Sequence, residues 1–300
     1  MIISASRRTD IPALYAEWFI NRVRAGFCDV ANPRRPGQIS RVSLKPEDVD
    51  AIVFWTRDAG PLMGHLDELD RRGFRYYFQY TILGYPRIIE PAVPPLAEAL
   101  DTIDRLSRRL GPGRVVWRYD PILLTDLTPE GYHLDRIGAI AAALEGPVRR
   151  LVVSHYDAYP FAESRLRALQ GKGLRALPGS GRPRPEFLRS IAGIAVGAGL
   201  EIQNCAEDAS WQEAGIPPGK CVDDRLIESL FGRNVTHRKD PHQRPLCGCV
   251  VSRDIGAYDT CPLGCVYCYA TRDAAAARRF RLRHDPSAAS LAARPANEPE

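Results

Sequence analysis

Short apolar segments rich in β-branched and aromatic residues alternate with amphipathic segments from residue 1 to about residue 206. Continuous apolar runs of this kind are typical of parallel strands that are buried on both faces. They predict six strands, at residues 2–5, 51–55, 76–81, 115–119, 151–154 and 201–204. Between them, apolar residues recur at helical spacing and predict helices at residues 13–25, 61–72, 96–110, 129–144 and 185–198.

Regular alternation of strands and helices predicts a parallel sheet with right-handed crossovers. Polar and aromatic residues follow the predicted strands, as in SRRTD after the first strand and WRYDP at the fourth. Barrels place their active sites at the carboxyl ends of many strands, whereas a flat doubly wound sheet concentrates them near one switch point. We therefore predict an α/β fold with a parallel (β/α)6-type partial barrel or TIM-like barrel.

The chain divides by pattern into three parts. Residues 1–208 are predicted to form the barrel core. Residues 209–284 form a cysteine-rich segment with one helix at 224–231, which we expect to pack on the barrel mouth. Residues 285–300 have few large apolar side chains and are predicted to be disordered, and residues 171–184, rich in Gly, Pro and Arg, are predicted to be a loop.

Composition favours an ordinary globular protein: 45% of the 300 residues are hydrophobic and 26% are charged. Lys and Arg number 41 against 36 Asp and Glu, a mild excess that a solvated surface explains better than a polyanionic partner does. The start of the chain has no signal-peptide pattern, and no apolar run reaches the roughly 18 residues of a membrane helix. We expect a cytoplasmic protein without a membrane partner, whose cysteines bind metal rather than form disulfides.

Three cysteines near the C-terminus, Cys261, Cys265 and Cys268, carry the strongest chemical signal. Three thiolates at this spacing can converge on one soft metal centre, such as zinc or an iron–sulfur cluster. Three ligands leave one coordination position that the motif does not fill, and an open position is typical of reactive rather than structural sites.

Four further cysteines, Cys205, Cys221, Cys247 and Cys249, follow residue 200, whereas Cys28 stands apart. Together they would make a closed site for a second cluster or a structural zinc. In one alternative, Cys247 and Cys249 complete a zinc ribbon with the first three cysteines. In another, Cys205 is a small buried apolar residue at the end of the sixth strand.

The spacing CPLGCVYC, with Tyr267 before the last cysteine, resembles the cluster-binding signature of radical S-adenosylmethionine enzymes. The resemblance implies a six-fold strand–helix partial barrel and a 4Fe–4S cluster whose fourth iron binds the amino and carboxylate groups of S-adenosylmethionine. Reduction then yields a 5′-deoxyadenosyl radical. Superfamily members carry the motif after the first strand and often a glycine-glycine-acid motif after the second. Here the cysteines follow the sixth predicted strand and the second ends in FWTRD, so we expect the late segment to fold back over the barrel mouth.

A second resemblance spans nearly the whole chain. The motifs ISASRRTDIP, VSLKPEDVDAIVFWTRD, VVWRYDPI, NCAE, GIPPGKCVDDRLI and CGCVVSRDIGAYDTCPLGCVYCYA occur in the order found in a bacterial family, domain of unknown function 1848. Membership implies a radical-enzyme-like cysteine motif and no established reaction.

Polar residues at the strand ends supply the remaining candidates. Alternation along a strand points Arg118 and Asp120 to the same side, and both are candidate catalytic residues. They are expected to bind a carboxylate or a ribose hydroxyl; the alternative is that they only satisfy each other. His155 follows a predicted strand and is the candidate acid–base group, with a structural hydrogen-bonded histidine as the alternative. Arg7 and Arg8 are candidates for gripping a phosphate or the methionyl carboxylate.

Asp10 and Glu207 complete the candidate cofactor-binding set. We predict an iron–sulfur enzyme of the radical S-adenosylmethionine type, with an unknown small-molecule substrate and a reducing electron donor. The alternatives are a zinc-stabilised nucleic-acid-binding module, which the weak charge excess does not favour, and a non-catalytic iron–sulfur protein.

Overall fold

Seven parallel strands form the main sheet in a computed structural model that describes residues 1–171, 174–175 and 183–292. In chain order the strands are β1 (Ile2–Ala5), β2 (Phe27–Asn32), β3 (Arg35–Ser43), β4 (Ala51–Thr56), β5 (Tyr76–Thr81), β6 (Val115–Ile122), β7 (Arg150–His155), β8 (Glu201–Asn204) and β9 (Arg253–Asp254). Their order across the sheet is β8-β7-β6-β5-β4-β1-β9, and β2 and β3 form a separate antiparallel hairpin. The six predicted strands and the parallel α/β sheet are therefore confirmed.

The helices are α1 (Ile11–Leu14), α2 (Ala16–Ala25), α3 (Gly60–Met63), α4 (Leu66–Arg71), α5 (Leu96–Leu110), α6 (Glu130–Ala143), α7 (Pro160–Gln170), α8 (Pro185–Gly197), α9 (Ala209–Glu213), α10 (Asp224–Phe231) and α11 (Ala274–Arg283). Local chemistry sets the limits of α10. The Asp223 carboxylate accepts hydrogen bonds from the N–H groups of Arg225 and Leu226, and Gly232, with φ of 61°, ends the helix. Of the helices in the described residues, none has the length and apolar character that crossing a bilayer requires.

The two faces of the main sheet are covered by different parts of the chain. On one face Phe54, Phe78 and Trp117 pack in a single cluster with apolar residues of α2, α5, α6 and α8. On the other face Tyr77 and Val116 pack in a second cluster with residues of the 221–250 segment. Each large side chain buried in this way contributes roughly 1.5–3 kcal/mol. The crossover helices thus lie on one face of the sheet, whereas a doubly wound sheet has helices on both faces.

Strands β8 and β9 are the two edges of this sheet in the described residues, so a closed TIM-like barrel is not shown. Strand β9 comes from the segment expected to pack on the barrel mouth, and it pairs with β1 through Ile3 and Arg253 and through Ser4 and Asp254. The N-terminal and C-terminal parts of the chain therefore meet side by side in one sheet.

Composition predicts a disordered tail from residue 285. In the structure, residues 285–292 instead pack against α2 and β2. The Trp18 Nε1–H donates to the carbonyl oxygen of Ala288 at 2.9 Å, and the Asp29 N–H donates to that of Ala289 at 2.9 Å. Leu291 is 2% exposed. Residues 293–300 of the predicted tail, and residues 172–173 and 176–182 of the predicted loop, lie outside the described residues.

Candidate functional site

A cavity of about 570 Å³ lies at the carboxyl ends of β1, β4, β6 and β7. The sequence-predicted site residues that line it are Arg7, Arg8, Asp10, Arg118, Asp120, His155, Cys205, Cys221, Cys247, Cys249, Cys261, Cys265 and Cys268. The volume is in the range of sites for small molecules and cofactors. Residues far apart in sequence thus converge on one cavity, because the carboxyl ends of parallel strands share an edge.

The loop that carries Cys261, Cys265 and Cys268 reaches this cavity from β9. The Asp254 carboxylate on β9 accepts hydrogen bonds from the Ser6 hydroxyl at 2.7 Å and from the Arg7 N–H at 2.8 Å. These bonds hold the start of the loop beside the end of β1.

A second anchor of the loop is Arg165, whose guanidinium donates to the carbonyl oxygens of Val266 at 2.9 Å and Thr271 at 2.8 Å. It also donates to the carbonyl oxygen of Cys268. One side chain of α7 therefore fixes the backbone of the loop around its last cysteine.

The three thiols of the loop are half-buried. Burial raises the pKa of Cys261, and the neighbouring sulfurs of Cys268 and Cys265 raise it further. Burial also raises the pKa of Cys265 to about 12, although the Arg57 charge opposes the change. Within the described residues no group of three or more His, Cys, Asp or Glu side chains is arranged as the ligands of a metal ion. The loop brings soft donors to one cavity without a finished coordination sphere.

A second group of sulfurs, Cys205, Cys221 and Cys249, also lines the cavity. The Sγ atoms of Cys205 and Cys221 are 3.7 Å apart, and Cys249 Sγ accepts hydrogen bonds from the N–H groups of Cys221 at 3.2 Å and Val222 at 3.3 Å. The contact with the Cys221 sulfur lowers the pKa of Cys205, and the Arg118 charge adds to this effect. The contacts with Cys205 and Cys249, together with burial, raise the pKa of Cys221.

Arg118 and Asp120 form the ion pair that is one of the two predicted alternatives. Asp120 also accepts a hydrogen bond from the Ser154 hydroxyl at 2.5 Å, and Arg118 Nη1 donates to Cys221 Sγ at 3.3 Å. The pair does not use all of the guanidinium, because Arg118 Nε is buried without a partner among the described residues.

Other cavity-lining side chains share this property. In the described part of the chain, buried atoms without a hydrogen-bond partner include Arg7 Nη2, Thr9 Oγ1, Arg57 Nε and Nη1, and His155 Nε2. Leaving a buried polar group unpaired costs about 1–3 kcal/mol, and more for a charged group. Because guanidinium groups can only donate, the wall is suited to a ligand that presents acceptors, above all carboxylate or phosphate oxygens.

His155 and Glu207 are joined through the backbone. The His155 N–H donates to Glu207 Oε1 at 2.9 Å, and Glu207 is not among the cavity-lining residues. Burial lowers the pKa of His155 and raises the pKa of Glu207 to about 7. Glu207 therefore holds the backbone of His155 and does not line the cavity, although the sequence predicts that Glu207 binds the cofactor.

Asp10 is also engaged by the protein itself. Its carboxylate accepts hydrogen bonds from the Thr56 hydroxyl at 2.8 Å, the Arg57 N–H at 2.6 Å and the Ala13 N–H at 3.0 Å. Burial raises its pKa to about 6, although these hydrogen bonds oppose the change. Asp10 therefore ties the end of β1 to the end of β4.

Sequence reasoning missed a buried network beside the loop. Glu90 accepts hydrogen bonds from both Arg57 and the Tyr267 hydroxyl. Arg57 and Thr81 also line a neighbouring cavity of about 360 Å³. The motif FWTRD places Arg57 at a strand end, but no sequence signal marks Glu90, which comes from the connection between β5 and α5.

Comparison with known proteins gives a family and little else. The family model described as "Domain of unknown function (DUF1848)" matches residues 2–270. No curated protein matches the chain. Two similar solved structures are a D-hydantoinase (12% identity, TM-score 0.31, 71% of this chain and 42% of that one) and the D-hydantoinase from a Bacillus sp. AR9 (11%, 0.31, 71% and 43%). The chain spans less than half the length of either, and a likeness at this TM-score carries no argument about activity.

Proposed function

The chain belongs to the DUF1848 family, and we propose that it is an iron–sulfur enzyme of the radical S-adenosylmethionine type that acts on a small-molecule substrate. One observation carries the proposal. The loop with Cys261, Cys265 and Cys268 follows a strand of the main sheet and lines a cavity at the carboxyl ends of the strands, where buried arginine N–H groups have no partner among the described residues.

Strand order supports this assignment despite the late position of the motif. The superfamily carries its cysteines after the first strand of a partial barrel. Strand β9 pairs with β1 at the edge of the sheet and is followed in the chain by the cysteine loop and α11, so β9 takes the place of a first strand and β1 that of a second. We accordingly propose that the sheet is a partial barrel that begins at β9. Residues 6–10 then occupy the position where the superfamily grips the methionyl group, with SRRTD in place of a glycine-glycine-acid motif.

The donor set fits an iron–sulfur cluster. The three thiols are soft ligands, and they line one cavity within reach of each other's charge. In this proposal Cys261, Cys265 and Cys268 hold three irons of a 4Fe–4S cluster. When bound, the cluster supplies the electron for reductive cleavage of S-adenosylmethionine, and an external reductant must replace that electron.

The other residues of the cavity bind and shield. The unpartnered N–H groups of Arg7 and Arg118 donate to carboxylate or ribose oxygens of the cofactor and substrate. Arg7 lies over the Trp55 ring at 5.0 Å, which holds the guanidinium in place and covers that wall with apolar surface. The pKa of His155 is lowered and its Nε2 has no partner in the part of the chain that the structure describes, so the neutral ring is available to accept a proton from the substrate.

Iron content and product formation test the proposal. Protein purified without oxygen is analysed for iron and sulfide, then incubated with dithionite and S-adenosylmethionine and assayed for 5′-deoxyadenosine. We expect about four irons per chain and deoxyadenosine formation, both lost in Cys261→Ala/Cys265→Ala/Cys268→Ala. Cys28→Ala, at a buried cysteine away from the cavity, is the matched control and retains both.

Two results would replace the proposal with another function. A brown protein with iron and sulfide but no deoxyadenosine above the level of the triple variant is a non-catalytic iron–sulfur protein. A colourless protein that holds zinc in place of iron on the loop, and binds nucleic acid with steep salt dependence, is a zinc-stabilised nucleic-acid-binding module.

A further inference from the structure

Four cysteines form a group that the proposed cluster does not use. The thiol quartet consists of Cys205, Cys221, Cys247 and Cys249. The Sγ atoms of Cys221 and Cys205 are 3.7 Å apart, Cys249 Sγ accepts the Cys221 N–H at 3.2 Å, and Cys247 lines the same cavity as these three. The four come from three connections, one after β8, one before α10 and one before β9. Sulfurs from separate loops gather here although no disulfide joins them.

We propose that the thiol quartet binds a single zinc ion. Four sulfurs at a Zn–S distance of about 2.3 Å form a tetrahedron with edges of about 3.8 Å. The Sγ atoms of Cys205 and Cys221 already lie 3.7 Å apart, at the length of such an edge. Ligands of a 4Fe–4S cluster each bind a different iron, which keeps their sulfurs farther apart. The short contact therefore favours one ion over a second cluster.

The surroundings of the sulfurs match those of metal-bound thiolates. Four thiolates and Zn²⁺ carry a net charge of −2, which needs donors in a buried site. Arg118 Nη1 donates to Cys221 Sγ at 3.3 Å, and Arg244 Nη2 donates to Cys205 Sγ at 3.8 Å, while the same two arginines pair with Asp120 and Asp157. N–H groups also stabilise charge on sulfur, as the backbone at residues 221 and 222 does for Cys249.

Ion binding requires a small rearrangement. The four sulfurs as they stand are not a ligand set, since no group of three or more metal-binding side chains in the described residues is so arranged. Cys221 and Cys249 are nearly fully buried and sit at the centre of the group, whereas Cys205 is more exposed. We expect the outer thiols, Cys205 and Cys247, to turn toward the two central ones.

The ion has a structural role in this proposal. It ties the end of β8 to the 221–250 segment, which covers the face of the sheet that carries Tyr77 and Val116. Cys249, in that segment, lies four residues before β9. The zinc site thus stabilises the segment that leads into the cysteine loop, but it is separate from the three cysteines of the proposed cluster.

Metal analysis of a variant that lacks Cys261, Cys265 and Cys268 tests this inference independently of the proposed function. Cys261→Ala/Cys265→Ala/Cys268→Ala protein, purified as the full chain, is analysed for zinc, iron, copper and sulfide. We expect about one zinc per chain and no sulfide. Adding Cys221→Ser and Cys249→Ser should lower zinc to about a tenth of that level or less, whereas adding Cys28→Ser should not change it.

A second measurement covers the case in which the serine variant fails to fold. Cobalt added to the zinc-stripped triple variant should give the sulfur-to-cobalt charge-transfer band and the intense visible bands of tetrahedral thiolate coordination, and zinc should displace them. Absence of zinc and of these bands in folded triple variant overturns the inference. The inference is also overturned if zinc persists after Cys221→Ser and Cys249→Ser are added. Finding copper, or iron with sulfide, in the triple variant in place of zinc overturns it as well. None of these results depends on S-adenosylmethionine cleavage.

Discussion

Asp254 on β9 holds Arg7 at the end of β1 by accepting its backbone N–H at 2.8 Å. The same carboxylate accepts the hydroxyl groups of Ser4 at 2.5 Å and Ser6 at 2.7 Å. A two-residue strand makes few backbone bonds, so these side-chain bonds supply much of its attachment. The attachment of β9, from which the cysteine loop begins, therefore depends largely on one carboxylate.

Asp254→Asn should loosen that attachment. Whichever oxygen the amide nitrogen replaces, it faces a backbone N–H, that of Arg7 or of Gly256, which then has no acceptor there. Hydrogen bonds to a charged group are worth about 1.5–3 kcal/mol. We expect a loss of that size in the free energy of unfolding, measured by urea denaturation, and less than about half the iron of the unchanged protein after anaerobic purification.

The control is Asp29→Asn, which removes an exposed ion pair with Arg41 and should cost less than about 1 kcal/mol. Equal stability and iron content in the two variants would show that the carboxylate of Asp254 does not hold the loop.

Glu90→Ala should be strongly destabilising because it leaves Arg57 buried without its ion-pair partner. Glu90 is 3% exposed, and removing one partner of a buried pair costs about 3–5 kcal/mol. Replacing both residues, as in Arg57→Met/Glu90→Ala, should recover much of the loss. Urea denaturation of the single and double variants gives the coupling energy.

Exposed Glu98→Ala serves as the reference and should change stability by less than about 0.5 kcal/mol. A double variant as unstable as the sum of its single changes would exclude the proposed coupling. Because Glu90 also binds Tyr267, the double variant should still retain less iron than the unchanged protein.

His133 should make stability fall in acid. Its Nε2 contacts the carbonyl oxygen of Leu123 at 3.1 Å, and a carbonyl can only accept, so Nε2 carries the proton and Nδ1 accepts the Tyr119 hydroxyl at 2.8 Å. Burial lowers the pKa of His133 to about 4. Between pH 6.5 and 4 the unfolded chain therefore binds a proton that the folded chain excludes, and the folded state loses about 3 kcal/mol across that window.

The slope of unfolding free energy against pH measures this effect. His133→Gln should abolish most of the slope between pH 6.5 and 4, whatever its stability at pH 7, whereas His65→Gln should retain it. An unchanged slope in His133→Gln would assign the acid sensitivity to other groups.

Leu291→Ala tests whether the end of the described chain contributes to stability. Leu291 is 2% exposed and belongs to the main core cluster, so its truncation should cost about 2–4 kcal/mol. Leu282, 82% exposed on α11, is the matched control and should change stability by less than about 0.5 kcal/mol. Thermal or urea unfolding of the two variants gives the comparison, and equal values would mean that residues 285–292 add nothing to the core.

The strands that sequence predicts best are those whose character is local. Buried parallel strands are continuous apolar runs, so their positions need no knowledge of partners. Strand β9 consists of Arg253 and Asp254 and has no such character, because it exists through pairing with β1. The hairpin of β2 and β3 was missed because its polar residues interrupt the apolar ones and because Pro36 and Gly37 in sequence resemble a loop.

The site residues were predictable where their positions follow directly from the strands. Residues after parallel strands meet at one edge whatever the details of packing, and this rule brought Arg7, Arg118 and His155 to one cavity. Glu90 depends on how one connection folds over the sheet, which no local pattern reports. Leu291 and the carbonyl groups near it stabilise a segment of low apolar content, because backbone hydrogen bonds do not depend on composition.

Pairing of Ile3 with Arg253 has a consequence for biosynthesis. At translation rates of roughly 5–20 residues per second, β1 leaves the ribosome roughly 10–50 s before its outer neighbour is made. During that interval β1 keeps an open edge, a known risk for association with other nascent chains. Any metal carried by Cys261, Cys265 and Cys268 can be bound only after all nine of the described strands have been synthesised.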